Sequence, residues 1–273
     1  MGAVKLSFGE VVSEGFGFFF ANTRLFFHLV TIPWIMSIAI RVIGGLLAID
    51  SAFAALAEKL VDVVPTVMFM VAWQRVVLLG PNRLERLPGT GWSPRESAYL
   101  GHLLKVGGMT FVLIGVFMIT VWPMDPTALG PGRTVDPEVA RQYALAGPLA
   151  FGFIVSLLLA LRVSYGLAAT AVDVPFSPRL SWAHSRGNAW TIIGALFVVY
   201  FGGAFVTAVA ALLTHGVMRG MLGAREAAAV VSWTAAILVS YGTVAITVTV
   251  QAAIFRRLMG WHEGAPLPAL SES

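Results

Sequence analysis

The sequence predicts an all-α, polytopic membrane protein with six transmembrane helices and three amphipathic helices on the cytoplasmic face. The first observation is composition: 58% of the 273 residues are hydrophobic and only 12% are charged, whereas a soluble domain is usually about a quarter charged. With a mean hydropathy of +0.82, the chain has too few charges to cover a particle in water. Two further observations, a set of long apolar runs and a recurring serine-capped segment, predict how the helices are arranged.

Six runs have the length of about 20 apolar residues that a helix needs to cross a bilayer. They cover residues 25–48, 60–79, 104–121, 148–168, 190–213 and 228–254. Asp62 and Pro65 interrupt the start of the second run, which makes it the weakest of the six. The longest outer connection, 123–143, contains "DPEVARQY", which predicts a short helix capped by Asp136 with Pro137 at its first position.

The positively charged residues predict the orientation, because Lys and Arg are enriched in cytoplasmic segments. Twelve of the eighteen lie in the segments 1–24, 74–105, 162–189 and 255–273, whereas five lie in the connections on the opposite side. We therefore expect both termini in the cytoplasm. The net charge is only +4 and no long Lys or Arg run occurs, so we expect no nucleic-acid partner.

A serine-capped amphipathic segment precedes three of the six runs. It occurs as "SFGEVVSEGFGFFFAN" at 7–22, "SPRESAYLGHLLKVGG" at 93–108 and "SPRLSWAHSRGNAW" at 177–190. Serine is a preferred N-cap, and a Glu three residues later predicts a capping box at Ser7 with Glu10 and at Ser93 with Glu96. Apolar stripes at helical spacing predict interfacial helices. The stripe of the first consists of Phe8, Val11, Val12, Gly15, Phe16 and Phe19.

Each amphipathic segment leads into a span: "AN" at 21–22 leads into the first, "GG" at 107–108 precedes the third, and "GN" at 187–188 predicts a bend into the fifth. The three initial serines are 86 and 84 residues apart, and each segment is followed by a span, an outer turn and a second span. Self-similarity at a fixed period indicates repeats. We expect one integral membrane domain, 1–273, made of three tandem modules at approximately 5–80, 91–170 and 175–260.

Two ionisable residues lie within predicted spans, where a charge is costly and often functional. Arg41 lies in the first span and Asp62 at the start of the second, at nearly equal depth if the turn between them centres near residue 52. We predict that they form a charge-neutralising pair. Our interpretation is that the pair is structural; the alternative is a polar site on a substrate or proton path, which Gln74 would join.

The other polar residues have structural interpretations. Gln74, Gln251 and Ser164 are expected to hydrogen-bond between helices, and "GGAFVTA" at 202–208 is expected to pack against a neighbouring helix. The predicted anchors of the interfacial helices, at the level of the lipid headgroups, are Trp182, Trp190, Arg179, Arg186 and Arg95.

Nothing in the sequence indicates a metal, a cofactor or a catalytic residue. The chain has no cysteine, and its histidines lack the close spacing of a metal motif: His28, His102, His184, His215 and His262. The fourteen acidic residues are spread over both sides, without the clustered carboxylates or the nucleophile beside a base that hydrolysis needs. We therefore expect no enzymatic activity.

Two stretches carry a resemblance to a known group of proteins. They are "SFGEVVSEGFGFFFANTRLFF" at 7–27 and the pattern A-x-D-x-P-x-S-P-x-x-S-W-x-x-x-R-G-N-x-W at 171–190. On these residues the chain resembles uncharacterised bacterial six-span inner-membrane proteins, related to the membrane domain of glycerophosphoryl diester phosphodiesterases and to the YciC-like families. The resemblance implies a multi-pass protein of the bacterial inner membrane and supplies no catalytic residue. Because no phosphodiesterase domain follows the sixth span, we expect none of that activity.

These observations favour a non-enzymatic inner-membrane protein that acts as a scaffold or partner subunit in envelope or lipid homeostasis. The three surface helices motivate this hypothesis, because such helices bind the membrane surface. The expected partners are membrane lipids and other membrane proteins. The alternative is a transporter or lipid-translocating channel with Arg41, Asp62 and Gln74 facing a cavity. A membrane-embedded enzyme is the weakest hypothesis, since it needs a convergence of polar groups that the sequence does not indicate.

Overall fold

The computed structural model describes residues 5–46, 52–80, 91–121, 137–175, 177–222 and 225–262, and all regular secondary structure in these ranges is helical. The all-α prediction is therefore confirmed for the described residues. The helices are α1 (Phe8–Ala21), α2 (Thr23–Leu46), α3 (Ala52–Leu79), α4 (Pro94–Val121), α5 (Pro137–Ser164), α6 (Leu167–Ala171), α7 (Pro178–His184), α8 (Ala189–Leu222) and α9 (Arg225–Met259).

Four segments of these helices are long and apolar enough to cross a membrane: Thr23–Leu46, Leu56–Leu79, Ala189–Met221 and Glu226–Met259. The outward surface of α8 has the character of a lipid-facing one, because Phe205, Leu212 and Met221 are 70% to 74% exposed. The predicted third and fourth spans fall in α4 and α5, where many side chains lie outside the described set. Within α5, Ala150–Ser164 is a shorter apolar segment.

The predicted bend at 187–188 is confirmed. Between α1 and α2 only Asn22 is non-helical, and a turn at 185–188 separates α7 from α8, with Gly187 at a φ of +81°. The prediction of a separate interfacial helix at 93–108 is wrong, because α4 continues without a break from Pro94 to Val121. Glycine weakens a helix by only about 1 kcal/mol, whereas opening backbone hydrogen bonds in an apolar environment costs several kcal/mol per group. The helical pattern therefore continues through both glycines.

The serine caps also differ among the three segments. The Ser177 hydroxyl accepts from the N–H of Leu180 at 3.3 Å, as an N-cap does. The N–H of Ser93 donates to the Glu96 carboxylate at 2.9 Å, which is the backward half of the predicted capping box. The box predicted at Ser7 does not form, because Ser7 makes no side-chain cap. Its partner Glu10 instead faces Arg257 at 3.6 Å.

The long connection after α4 is only partly described, since residues 122–136 lie outside the described ranges. The helix predicted in "DPEVARQY" does begin at Pro137. It is not a separate short helix, however, because it runs on as α5 to Ser164. Proline at the first position costs no hydrogen bond, which explains the start.

The predicted apolar stripe of α1 divides into two faces. Val11 and Gly15 are buried against α9, where Val250 lies directly over Gly15. Phe8 and Phe16, which were predicted on the same stripe, are 44% and 39% exposed. The helix therefore packs one side on the bundle and leaves a row of phenylalanines on the other.

An aromatic cluster forms the centre of the bundle. Trp73 of α3 is fully buried, and its ring centroid lies 6.0 Å from those of Phe26 and Phe69. Phe18 reaches Trp73 from α1 at 5.8 Å in an edge-to-face arrangement, and Tyr241 of α9 contacts Phe69 at 5.3 Å. Such pairs add about 0.5–1.5 kcal/mol each beyond area burial. The cluster joins α1, α2, α3 and α9.

The predicted close packing of the "GGAFVTA" segment is confirmed at Gly203. The helices α8 and α9 form an antiparallel hairpin, in which the side chain of Thr243 lies where a Cβ of residue 203 would be. Gly203 thus lets the two backbones approach, as small residues do between membrane helices. Gly202 points away from α9, and a methyl group there would meet nothing within 4 Å.

Gly203→Ala is expected to destabilise the protein, because the added methyl group would overlap Thr243. Overpacking of this kind costs about 1–3 kcal/mol. The measurement is thermal unfolding in detergent micelles, with Gly202→Ala as the matched control. The control should unfold at the wild-type temperature or slightly above it, since alanine favours a helix. Equal midpoints for the two variants would contradict close packing at Gly203.

Candidate functional site

The predicted polar site does not assemble, because Arg41 pairs with a different acid. Its guanidinium donates to the Glu58 carboxylate at 2.7 Å, not to Asp62. Arg41 lies five residues before the end of α2, and Glu58 lies six after the start of α3. Glu58, and not Asp62 four residues farther along α3, therefore lies at the depth of Arg41. The pair is a structural one across the α2–α3 hairpin, with the Arg41 side chain 49% exposed.

Asp62 lies apart from Arg41, on the side of α3 that faces α9. One of its carboxylate oxygens is buried and has no hydrogen-bond partner among the described residues. Across the helix interface, the Tyr241 hydroxyl lies within reach of the charge of Asp62. The Tyr241 hydroxyl hydrogen-bonds to the Ser37 hydroxyl at 2.8 Å. It also lies 3.3 Å from the Pro33 carbonyl, to which it can donate. This small polar cluster joins α2, α3 and α9.

Gln74, the third residue of the predicted site, belongs to a separate hydrogen-bonded group. Its amide donates to Gln251 at 3.4 Å, and the Gln251 amide donates to the Ser164 hydroxyl at 3.1 Å. Beside them, Trp73 donates its indole N–H to the Thr249 hydroxyl at 2.8 Å. The predicted hydrogen bonding between helices is thus confirmed. These hydrogen bonds join α3, α5 and α9 in the buried interior of the bundle.

The densest ionic contacts lie at one end of the bundle. We call it the basic end: the end at which α3, α5 and α9 finish, near Arg75, Arg162 and Arg256. Tyr99 of α4 is fully buried beside Gln74 there. Burial raises the pKa of the Tyr99 hydroxyl far above its usual value, so the group stays a neutral hydroxyl.

Asp173 holds three helices together at the basic end. Arg95 of α4 binds it through two hydrogen bonds, Nε to Oδ1 at 2.8 Å and Nη2 to Oδ2 at 2.7 Å. Arg75 of α3 donates to the Ala171 carbonyl at 3.0 Å and to Asp173 at 3.4 Å. The Arg95 hydrogen bonds, opposed by partial burial, lower the pKa of Asp173. Asp173 has a φ of +61°, a left-handed conformation that Asp tolerates better than most residues.

The two remaining surface helices are attached in the same region. Glu14 of α1 binds both Arg256 and Arg257 of α9, the second at 2.8 Å. Arg162 at the end of α5 donates to the Ser185 hydroxyl at 2.8 Å, and its guanidinium carbon lies 3.5 Å from the centroid of the Trp182 ring. A cation over the face of tryptophan is attracted by the ring quadrupole. Both helices are therefore fixed to the bundle by arginines.

The predicted interfacial anchors divide between exposed and paired positions. Trp190 is 79% exposed and Trp182 is 37% exposed, and Arg179 and Arg186 are exposed. Arg95 is not a free anchor, since Asp173 holds it. Neither Asp173 nor Glu14 was assigned a role from the sequence, although both lie in the stretches that carry the family resemblance.

The histidines of the surface segments make hydrogen bonds within the protein. His102 lies 2.9 Å from the Thr170 hydroxyl, and His184 lies 3.0 Å from the Leu180 carbonyl. Burial, with a smaller effect from Lys105, lowers the pKa of His102. Within the described ranges no group of three His, Asp or Glu side chains could hold a metal ion.

Comparison of the chain with protein-family models, with curated proteins and with solved structures finds no match. The function is therefore inferred from the geometry of the chain alone.

Asp173→Asn is expected to lower stability at neutral pH with little change to the backbone, because Asn also tolerates the left-handed conformation. A carboxylate with a lowered pKa stabilises the folded state above its unfolded pKa of about 4, and that contribution is lost as the pH falls through the lowered value. With the side chain 58% exposed, the loss at pH 7 should be at most about 1 kcal/mol.

The measurement is the unfolding temperature of wild type and variant between pH 7 and pH 3, where the difference should shrink toward zero. Arg95→Gln and the double variant complete a cycle, and their effects should not add if the two side chains interact. A wild-type midpoint for Asp173→Asn at pH 7 would contradict the stabilising role.

Proposed function

We propose that this chain is a non-enzymatic six-span protein of the bacterial inner membrane that acts as a scaffold or partner subunit in envelope or lipid homeostasis. The four apolar helices and the apolar segment of α5 support membrane insertion. The positive-inside bias supports placing the basic end, and with it both termini, in the cytoplasm. The resemblance to six-span bacterial inner-membrane proteins points the same way.

We further propose that the chain consists of three tandem modules arranged in a ring. In support, the second helix of each hairpin contacts the next module: α3 contacts α4, α5 contacts α7 and α8, and α9 contacts α1 and α2. An arginine near the end of each of these helices takes part. Arg75 shares Asp173 with α4, Arg162 binds α7, and Arg256 binds α1. The short helix α6 has no counterpart in the other two modules as described.

The observation that carries the scaffold proposal is the closure of the basic end. Ion pairs attach the surface helices to the bundle, and the amides of Gln74 and Gln251 face each other within packed layers. The groups that remain exposed on the surface helices and at the start of α8 are large aromatic and basic: Phe20 at 66%, Trp190 at 79%, and Arg179 and Arg186. Such a surface suits docking on lipid or on another membrane protein.

The alternative is a transporter or lipid-translocating channel, and one observation favours it. Asp62 has a buried carboxylate oxygen without a partner among the described residues. A carboxyl group within a spanning helix is costly unless it is used or paired. Arg41, which was expected to neutralise it, is engaged by Glu58.

Single cysteines test the proposed topology, since the native chain has none. Ser13, Ser97 and Arg179 are exposed positions on α1, α4 and α7, and Gly220 is exposed near the far end of α8. We expect a membrane-impermeant maleimide to label Cys at the first three from the cytoplasmic side only, and Gly220→Cys from the outer side only. Labelling of Ser97→Cys and Arg179→Cys from opposite sides would contradict both the topology and the modules.

Reconstitution into vesicles of bacterial polar lipids separates the scaffold from the transporter. We expect fluorescent-lipid translocation and proton flux no faster than in empty vesicles, because Arg41 pairs with Glu58 and Gln74 with Gln251, so the predicted polar site is not assembled. Asp62→Asn should leave both rates unchanged. Transport above background that falls with Asp62→Asn would overturn the scaffold proposal.

A second arm tests partner binding directly. A photoreactive amino acid in place of Trp190 should crosslink reproducibly to a partner protein in cells. The same residue in place of Leu212, equally exposed on α8 but farther along the helix, should crosslink to lipid alone. Identical products from the two positions would contradict a partner site on the surface helices.

A further inference from the structure

A groove of about 630 Å³ lies at the junction of α1 and α2. Its polar lining comes from Asn22, Arg24, His28 and Thr31, and its apolar lining includes Leu25 and Phe27. The groove exists because α1 ends at Ala21, where the Asn22 amide donates back to the Phe18 carbonyl at 2.8 Å. The chain then restarts as α2 in a new direction.

Three polar side chains of α2 line one side of this groove. Arg24, His28 and Thr31 are spaced at i, i+4 and i+7, so they follow one face of the helix. All three are exposed. Arg24 lies in the first turn of α2, where the helix dipole is positive, and His28 lies about 6 Å further along the axis.

The basic side chains of the groove, Arg24 and His28, have no partner among the described residues. Neither Arg24 nor His28 makes a side-chain hydrogen bond or an ion pair there. Other arginines at the same end of the bundle are occupied: Arg95 by Asp173, and Arg256 and Arg257 by Glu14. Phe27, 55% exposed, and Ile35, 55% exposed, continue the apolar border along the span.

From this combination we propose that an anionic phospholipid binds in the groove, with its phosphate between Arg24 and His28 and one acyl chain along Phe27 and Ile35. Arginine binds phosphate through two parallel N–H donors, and the His28 imidazole N–H is a further donor, whereas the Thr31 hydroxyl donates to the Phe27 carbonyl at 2.6 Å. The apolar border fits the acyl chain. A free phosphate would leave that border uncovered, so the lipid is the occupant that uses both parts of the site.

This inference deepens the proposed function by naming a lipid partner, and it rests on the proposed membrane placement of α2. Native mass spectrometry of the detergent-solubilised protein tests it, with phosphatidylglycerol compared with phosphatidylcholine of the same chains. We expect one retained phosphatidylglycerol and at least about tenfold weaker retention of phosphatidylcholine. Arg24→Gln/His28→Gln should weaken phosphatidylglycerol binding about tenfold or more, as the loss of charge-assisted hydrogen bonds implies.

Arg179→Gln is the matched control, because it removes the same charge from an exposed position on α7 outside the groove. It should bind phosphatidylglycerol as the wild type does, and Arg24→Lys, which keeps the charge, should retain binding within a few-fold. An equal loss in Arg179→Gln would show diffuse attraction and overturn the site. Displacement of the lipid by millimolar inorganic phosphate would overturn the lipid assignment.

The double variant must unfold at the wild-type temperature, because only then can a loss of lipid binding be attributed to the two side chains and not to unfolding. If it does not, Arg24→Gln alone serves the same comparison with Arg179→Gln. Failure of this inference would leave the labelling pattern and the vesicle assays unchanged. Failure of the proposed function would appear as transport that depends on Asp62, with the lipid binding intact.

Discussion

Hydrogen bonds from Trp73 to Thr249, from Gln74 to Gln251 and from Gln251 to Ser164 hold α3, α5 and α9 together at the centre of the molecule. These groups are buried, and an amide or hydroxyl left unpaired there costs far more than the same group in water. Pairing therefore fixes which faces of the three helices meet. The aromatic cluster and the ion pairs at the basic end lie where this register puts them, and α9 contacts α1, α2, α3, α6 and α8 around it.

Local signals in the sequence predicted much of the fold. The helix starts at Pro137 and Pro178, the cap at Ser177 and the bend at Gly187 each depend on a few neighbouring residues, so pattern alone was enough. Even the pairing of Gln74 with Gln251 was foreseeable, because polar side chains in apolar helices must find one another.

The partners of the charged residues could not be predicted in the same way. A shift of four residues along α3, about one helical turn, was enough to exchange Asp62 for Glu58 as the partner of Arg41. Asp173 and Glu14 bind arginines that lie far away in the sequence, so no spacing rule identifies them. At Ser7 a long-range ion pair of Glu10 took precedence over the local capping box. At 107–108 the cost of open backbone groups outweighed the weakness of glycine in a helix.

The unbroken course of α4 gives the three surface segments different mechanical properties. From Pro94 to Val121 a single ladder of backbone hydrogen bonds connects the Asp173 contact at one end to the far end of the helix. A force applied to Arg95 would therefore tilt the whole of α4. At α7, by contrast, Gly187 and the turn at 185–188 interrupt the helical ladder before α8, and Arg162 connects this segment to α5. A partner bound to α4 would therefore act on the whole length of one spanning helix, whereas a partner bound to α7 would act first on the end of α5, through Arg162.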